Sequence, residues 1–300
     1  MHPSDVPGIA IHADKCRQDG LCARLCPMGI FTARDGDIPA IKHTDECILC
    51  GHCVAGCPAG AIDHQGPGFA GPMRAIAGGR ATPEQVHSLL SERRSVRNYR
   101  KESPDRALLE RIIEVAGYAP GSPHHRLGWV RGFTVVIGEE RMKQVREIAV
   151  DYVRRICKFL DSLMVRCAAR FSKAARGGRE VLPDLRMRLA EWDKGRDLIT
   201  YRAPAAIFAH APIFSPLPQI DCDAAMMVVL LNVHANGLGA CWNGILQDAA
   251  RGNFIKGFDG LGDLLGIPEG HRCYAAATVG YPALTLHRLP PRQVSVSFVD

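Results

Sequence analysis

Seven of the twelve cysteines in this 300-residue chain lie between positions 16 and 57, and their spacing is the strongest constraint on the fold. Residues 12–31 repeat as residues 43–62 at a fixed offset of 31, so that three cysteines and one Cys-Pro pair align. The second copy reads C-x2-C-x2-C-x3-C-P, the run that binds iron–sulfur clusters and whose fourth cysteine serves the neighbouring cluster. A zinc site is the weaker interpretation, because cysteines this closely spaced are too crowded to close one tetrahedron.

Over about the first 65 residues, the sequence resembles the bacterial two-cluster ferredoxins. The resemblance implies that one 4Fe-4S cluster is bound by Cys47, Cys50, Cys53 and Cys26, and the other by Cys16, Cys22 and Cys57. Opposite Cys50, the first copy has Asp19, a harder and weaker ligand for a soft cluster. Three outcomes are open: Asp19 binds the fourth iron, water binds it, or that iron is absent and the centre is 3Fe-4S. The intact flanking spacing favours Asp19.

The cysteine clustering also bears on location. The N-terminus has no apolar run, so no signal peptide is predicted. The longest apolar stretch, residues 224–231, is much shorter than the ~20 residues of a membrane span. Clustered cysteines without an export signal indicate ligands in a reducing cytoplasm. The net charge of +6 is spread along the chain without a basic stripe or interleaved aromatics, so no nucleic-acid partner is expected.

Beyond the repeat, the pattern changes to helices with a few short strands. We predict a ferredoxin domain at 1–65, a Gly- and Pro-rich linker at 66–82 and a second domain at 83–300. Helix starts are expected at Thr82-Pro83 and at Ser103-Pro104-Asp105. Other expected elements are strands at 133–137, 205–209 and 275–279, a helix at 221–236, and a basic helical stretch at 139–200 broken at Gly177-Gly178. This order predicts an α+β domain with helices on a mostly antiparallel sheet.

An arginine-rich turn follows the first of these helices. Arg93-Arg94-Ser95-Val96-Arg97 places three guanidinium groups and a hydroxyl within five residues, which suits a phosphate dianion. Three further segments complete the pattern, namely Ala119-Pro120-Gly121-Ser122, residues 237–242 and residues 280–292. In this order they resemble the nitroreductase family of FMN enzymes over about residues 83–300. The whole chain therefore resembles members of that family fused to a two-cluster ferredoxin domain.

That resemblance implies the roles of the flavin-site residues. Arg93 and Ser95 would bind the FMN phosphate, with Arg94 beside them, and Arg97 would lie near the flavin N1 and C2 carbonyl, where a cation stabilises reduced flavin. Arg288 and Arg292 match positions that also reach the phosphate. The backbone at Trp242, Asn243 and Gly244 corresponds to the stretch that faces the flavin N5 edge.

The main departure from the family follows Ala119-Pro120, where Asn and Gln are usual and this chain has His124, His125 and Arg126. We interpret His124 or His125 as a candidate proton donor, since reduction of a nitro group or an activated double bond needs protons. The alternative is that both are ordinary loop histidines.

Together these features predict an oxidoreductase in which electrons enter through two clusters and leave through FMN to a nitroaromatic, a quinone or an activated double bond. Reduced ferredoxin or NAD(P)H is the expected donor; residues 260–266 do not fit a dinucleotide-binding fingerprint. The resemblance implies a homodimer, with residues 139–200 as a lid over the substrate. Alternatives are FMN chemistry of another kind, such as dehalogenation or flavin breakdown, and a non-catalytic carrier or flavin-holding subunit of a larger redox complex.

Overall fold

The chain divides into two units in the computed structural model, which describes residues 8–66, 68–69, 73–76, 78–122, 131–252 and 260–299. The first unit comprises Met1–Arg80 with Pro120–Arg131 and Pro212–Asp221, and the second comprises Ala81–Ala119, Gly132–Ala211 and Cys222–Asp300. Among the described residues, no helix is both long and apolar enough to cross a membrane. The predicted boundaries at 65/66 and 82/83 stay a prediction.

The first unit repeats its structure as the sequence repeats its residues. Strand β1 (Ile9–Ile11) pairs antiparallel with β4 (Ile62–His64), and β2 (Phe31–Thr32) with β3 (Ala40–Ile41). Helices α1 (Leu21–Leu25) and α2 (His52–Gly56) occupy matching places in the two copies. Each is preceded by a glycine in the left-handed region, Gly20 at φ 64° and Gly51 at φ 74°, which L side chains rarely adopt.

The second unit is built on a four-stranded sheet. Its strands are β5 (Gly132–Ile137), β6 (Ala205–Pro212), β7 (Gly239–Trp242) and β8 (His271–Gly280), in the order β5-β6-β8-β7. The pairs β5–β6 and β7–β8 are antiparallel. Strand β6 is buried throughout, and its residues alternate between two cores: Ile207 faces one and Phe208 the other. Both faces of the sheet are therefore covered, and its antiparallel pairs agree with the predicted α+β domain.

Helices supply these two cores. On one face, α4 (Arg106–Glu114) contributes Leu109 and Ile112, and α9 (Pro218–Ala235) contributes apolar side chains of its own. On the other lie α5 (Glu139–Leu160), α8 (Leu182–Asp193), α10 (Gly244–Arg251) and α11 (Gly260–Leu265). Helix α3 (Pro83–Glu92) begins at the predicted site, where Thr82 and Gln85 form a capping box.

The basic stretch breaks at places other than the predicted one. Helix α7 (Lys173–Glu180) continues through Gly177-Gly178, so the prediction of a break there is wrong. The interruptions instead precede α6 (Leu163–Ala168), α7 and α8. Ser162 and Ser172 cap the first two, each accepting a backbone N–H from its new helix, and a proline stands at the start of α8. Local capping therefore outweighs the helix-weakening effect of two glycines.

A histidine pair, with His210 buried and His271 partly buried, joins two strands of this sheet. His210 on β6 lies opposite Gly132 on β5, and its Nδ1 is 3.1 Å from Nδ1 of His271 on β8. The imidazole of His210 fills the space that a Cβ at position 132 would need. Burial, with His271 beside it, lowers the pKa of His210 to about 4.

Candidate functional site

The four cysteines predicted to bind one cluster line a single small cavity in the first unit. Cys26 comes from the end of the first copy, and the other three, Cys47, Cys50 and Cys53, come from the second copy. Apolar side chains, including Ile30 and Phe31, form most of the rest of the wall. The backbone N–H of Ile30 donates to Cys26 Sγ at 3.4 Å.

The three cysteines predicted for the other cluster line a second cavity, and Asp19 lines it with them. These cysteines are Cys16, Cys22 and Cys57. The backbone N–H of Ala61 donates to Cys57 Sγ at 3.3 Å, which repeats the Ile30–Cys26 bond at an offset of 31. Asp19 Oδ1 accepts the N–H of Leu21 at 3.0 Å, and this bond holds the carboxylate at the start of α1.

The donor set fits two iron–sulfur clusters. Among the described residues, no group of three or more His, Cys, Asp or Glu side chains converges as a single-ion site. The thiols surround cavities instead, as they must when each sulfur binds a different iron. Burial raises the pKa of Cys53 to about 11 and also raises the pKa of Cys22 and Cys47, so iron must displace their protons.

The first cavity has one polar neighbour that sequence reasoning missed. His64 is buried on β4, lines the same cavity and stacks on Phe69 with ring centroids 4.1 Å apart. Its Nδ1 accepts the Gly66 N–H at 3.0 Å, and burial lowers its pKa, so the ring is neutral with its proton on Nε2. Nε2 lies 3.5 Å from Cys47 Sγ and donates to it. The corresponding residue in the first copy is Ala33, so only this cavity has such a donor at that position.

In the second unit, the predicted phosphate-binding residues come together in one pocket. Arg93, Arg94, Ser95 and Arg97 line it, and Arg292 from the C-terminal segment lines it with them. Nε of Arg93 is buried and has no hydrogen-bond partner within the described part of the chain. A buried unpaired donor beside three more guanidinium groups fits an anion such as the FMN phosphate. Arg288 lines an adjoining pocket, which shares Arg93 and Arg94.

A second cavity, of about 750 Å³, meets this pocket at Arg97, which lines both. Trp242, Asn243 and Gly244 form part of its wall, next to Cys241. Asn243 Oδ1 accepts the N–H of Leu246 at 3.0 Å to cap α10. Its Nδ2 donates to the carbonyl of Ile199 at 2.7 Å. The residues predicted for the two ends of a flavin thus lie along one continuous surface.

Most of the cavity wall comes from the basic helical stretch that the sequence predicts as a lid. Helices α5, α6, α7 and α8 contribute mainly apolar side chains, such as Ile156, Val165 and Leu185. An apolar cavity of this size with a few polar groups is typical of a small-molecule site. Charged groups of both signs lie in its wall, among them Arg97 and Asp248. The Cys241 thiol and, after it, Tyr201 raise the pKa of Arg97, and burial raises the pKa of Asp248.

Among the other polar groups of the cavity, Arg188 and Tyr201 were not predicted as site residues. Arg188 is held by Asp184 in the same helix, with Nε–Oδ2 at 2.7 Å, and it also donates to the carbonyl of Leu198. No motif marks them, because their proximity depends on how the segment after α8 returns to the sheet. The predicted proton donors His124 and His125 lie outside the described residues, so their role stays a prediction.

Comparisons with known proteins agree with this arrangement. Residues 90–281 match the model of the Nitroreductase family, and residues 8–71 match the model of a 4Fe-4S dicluster domain. A nitroreductase with bound FMN from Bacteroides fragilis is 21% identical to the chain, with a TM-score of 0.50. That alignment covers 72% of this chain and 99% of the other. At this identity, the likeness is one of fold.

Relatives of the cysteine repeat come from other kinds of protein. The formate dehydrogenase iron-sulfur subunit of Wolinella succinogenes is 34% identical over 91 residues, which is 29% of this chain and 38% of the subunit. A ferredoxin of Methanothermococcus thermolithotrophicus is 36% identical over 56 residues, which is 18% of this chain and 92% of the ferredoxin. The chain thus spans less than two fifths of the dehydrogenase subunit that it matches.

Proposed function

Because the chain belongs to the nitroreductase family, we propose that it is an FMN oxidoreductase in which electrons pass from two iron–sulfur clusters through the flavin to an organic acceptor. The observation that carries the proposal is the position of Arg97, where an arginine pocket suited to a phosphate meets a large apolar cavity. When bound, FMN supplies one- and two-electron chemistry and the clusters supply one-electron transfer.

The residues of the second unit have separate tasks in this proposal. Arg93, Arg94 and Ser95 hold the phosphate, with Arg292 and Arg288 completing its surroundings. Arg97 places a positive charge at the inner end of the pocket, where it stabilises negative charge on the pyrimidine side of a reduced flavin. The backbone at 242–244 faces the ring edge, and α5 to α8 exclude water from the acceptor.

In the first unit, seven cysteines and Asp19 hold the clusters. The set of Cys26, Cys47, Cys50 and Cys53 supplies four thiolates. The other set supplies three thiolates and the carboxylate of Asp19. We expect a cytoplasmic homodimer supplied by reduced ferredoxin or NAD(P)H, and an acceptor that is a nitroaromatic, a quinone or an activated double bond.

The electron path can be tested by anaerobic stopped-flow measurement of flavin reduction in the full-length, cluster-reconstituted protein, with reduced ferredoxin as donor. Replacement of one ligand, Cys50→Ser, should slow flavin reduction at least about tenfold, while Cys167→Ser, at an exposed position in α6, should not. Equal rates in both variants would contradict electron entry through that cluster.

Turnover is measured separately with a panel of nitroaromatics, quinones and enones. Reduction of one or more of these classes supports the enzyme. A flavin that is reducible but gives no turnover with any of them would favour the carrier alternative.

A further inference from the structure

Tyr201 stands in a strained conformation at the edge of the large cavity. Its φ is 59°, and that of Arg202 is 52°, so two consecutive non-glycine residues occupy the left-handed region. For an aromatic residue this conformation is unfavourable, and such strain collects at functional sites. The segment after α8 has therefore to be held in place by other interactions.

A single buried carboxylate holds it. Asp197 accepts the N–H groups of Ile199 and Thr200, both at 2.8 Å, and of Arg202 at 3.0 Å. It also accepts the Thr200 hydroxyl at 2.5 Å. A buried acceptor that binds four donors fixes the backbone of this loop strongly enough to maintain the strained conformation. Asn243, which caps α10, also holds the loop because its Nδ2 donates a hydrogen bond to the carbonyl of Ile199.

The side chain of Tyr201 lies between two cations. Arg97 Cζ is 5.7 Å from the centre of its ring, and Arg188 Nη1 is 3.5 Å from its hydroxyl oxygen. Arg188 is itself fixed by Asp184. Guanidinium groups only donate hydrogen bonds, so toward Arg188 the tyrosine oxygen acts as an acceptor. The hydroxyl proton is then left to donate elsewhere, and Tyr201 lines the cavity.

We propose that the Tyr201 hydroxyl donates a hydrogen bond to an oxygen of the acceptor, and that this residue is what makes the cavity prefer an acceptor with an oxygen at that place over a hydrocarbon of the same shape. This inference rests on the proposed function and adds a specificity-determining residue to it. The apolar walls accept the hydrocarbon frame, and the Tyr201 hydroxyl favours ligands with an oxygen, because an apolar analogue leaves this donor unpaired. Arg188 and Asp197 act as positioning residues, one through the hydroxyl and the other through the backbone.

The test compares two ligands of one shape, 1,4-naphthoquinone and 1,4-dimethylnaphthalene, in which methyl groups replace the oxygens. Binding to the oxidised FMN holoprotein is measured by calorimetry, without an electron donor, so the result does not depend on turnover. Tyr201→Phe should weaken quinone binding about 5- to 10-fold and leave hydrocarbon binding unchanged. The matched control is Tyr118→Phe, which removes an exposed tyrosine hydroxyl that does not line this cavity and should leave both affinities unchanged.

Three outcomes would overturn the proposal. If Tyr201→Phe loses no quinone affinity, the Tyr201 hydroxyl does not donate a hydrogen bond to the quinone oxygen. Equal loss for both ligands means that Tyr201 only shapes the cavity. A changed FMN dissociation constant with unchanged preference between the ligands means that the hydroxyl serves the flavin. FMN content and melting temperature of each variant show whether it has folded.

Discussion

Replacement of His64 should lower the reduction potential of one cluster and leave the other unchanged. The His64 Nε2–H donates to Cys47 Sγ at 3.5 Å, while Nδ1 is engaged by Gly66. Reduction adds negative charge to the cluster and its sulfurs, so the donor stabilises the reduced form more than the oxidised form. His64→Leu removes the donor and places an apolar side chain against Phe69.

The size of the shift follows from the strength of this bond. A hydrogen bond to a charged group contributes about 1.5–3 kcal/mol. If reduction strengthens it by about 1 kcal/mol, the potential falls by about 40 mV on its removal, because about 59 mV corresponds to a tenfold change in a one-electron equilibrium.

The assay is a redox titration of the reconstituted full-length protein, followed by EPR. His64→Gln, which retains an N–H donor, should restore much of the potential. His12→Leu, at an exposed histidine in the same unit, is the matched control. An unchanged or raised potential in His64→Leu, or an equal fall in His12→Leu, would refute the reasoning.

Four further predictions concern both units. Arg93→Gln should weaken FMN binding about 10- to 100-fold, because it removes a charge-assisted phosphate contact, whereas Arg106→Gln, on α4, should not; fluorescence titration measures both, and equal affinities would contradict the phosphate role. Asp19→Cys should change the EPR spectrum of the reduced protein, and identical spectra would show that Asp19 does not bind iron. Thr82→Ala should cost about 1 kcal/mol of stability in urea unfolding through loss of the capping box; no change would mean that the helix end does not limit stability. The unfolded chain binds a proton at His210 at higher pH than the folded chain does, so the free energy of unfolding should fall as the pH drops from about 6.5 to 4, by up to about 3 kcal/mol, and His210→Phe should flatten this slope.

The sequence was most informative where chemistry requires fixed local spacing. The cysteine repeat predicted which thiols share a cavity, because ligands within one short run are positioned by one turn. The arginine segment predicted the pocket at Arg93 to Arg97 for the same reason. Helix starts at Thr82 and Asp105 were predictable because capping depends on residues within one turn.

Long-range placement was not predictable in this way. Tyr201 approaches Arg97 across about a hundred residues, and no periodicity records that proximity. His64 lies opposite Ile9 in the β1–β4 register, and the tautomer that directs its proton to Cys47 depends on a backbone N–H two residues away. The prediction of a helix break at Gly177-Gly178 was wrong because the serine caps and the proline of α8 set the helix boundaries.

The contact between His210 and position 132 has a consequence for how this sheet can vary among related sequences. Glycine at 132 is required by the imidazole of His210, 78 positions away, which occupies the volume of its Cβ. A larger residue at 132 is therefore acceptable only after a smaller one appears at 210. The two positions should change together during divergence, with the loss of His210 first, and a scan of single substitutions would record position 132 as intolerant.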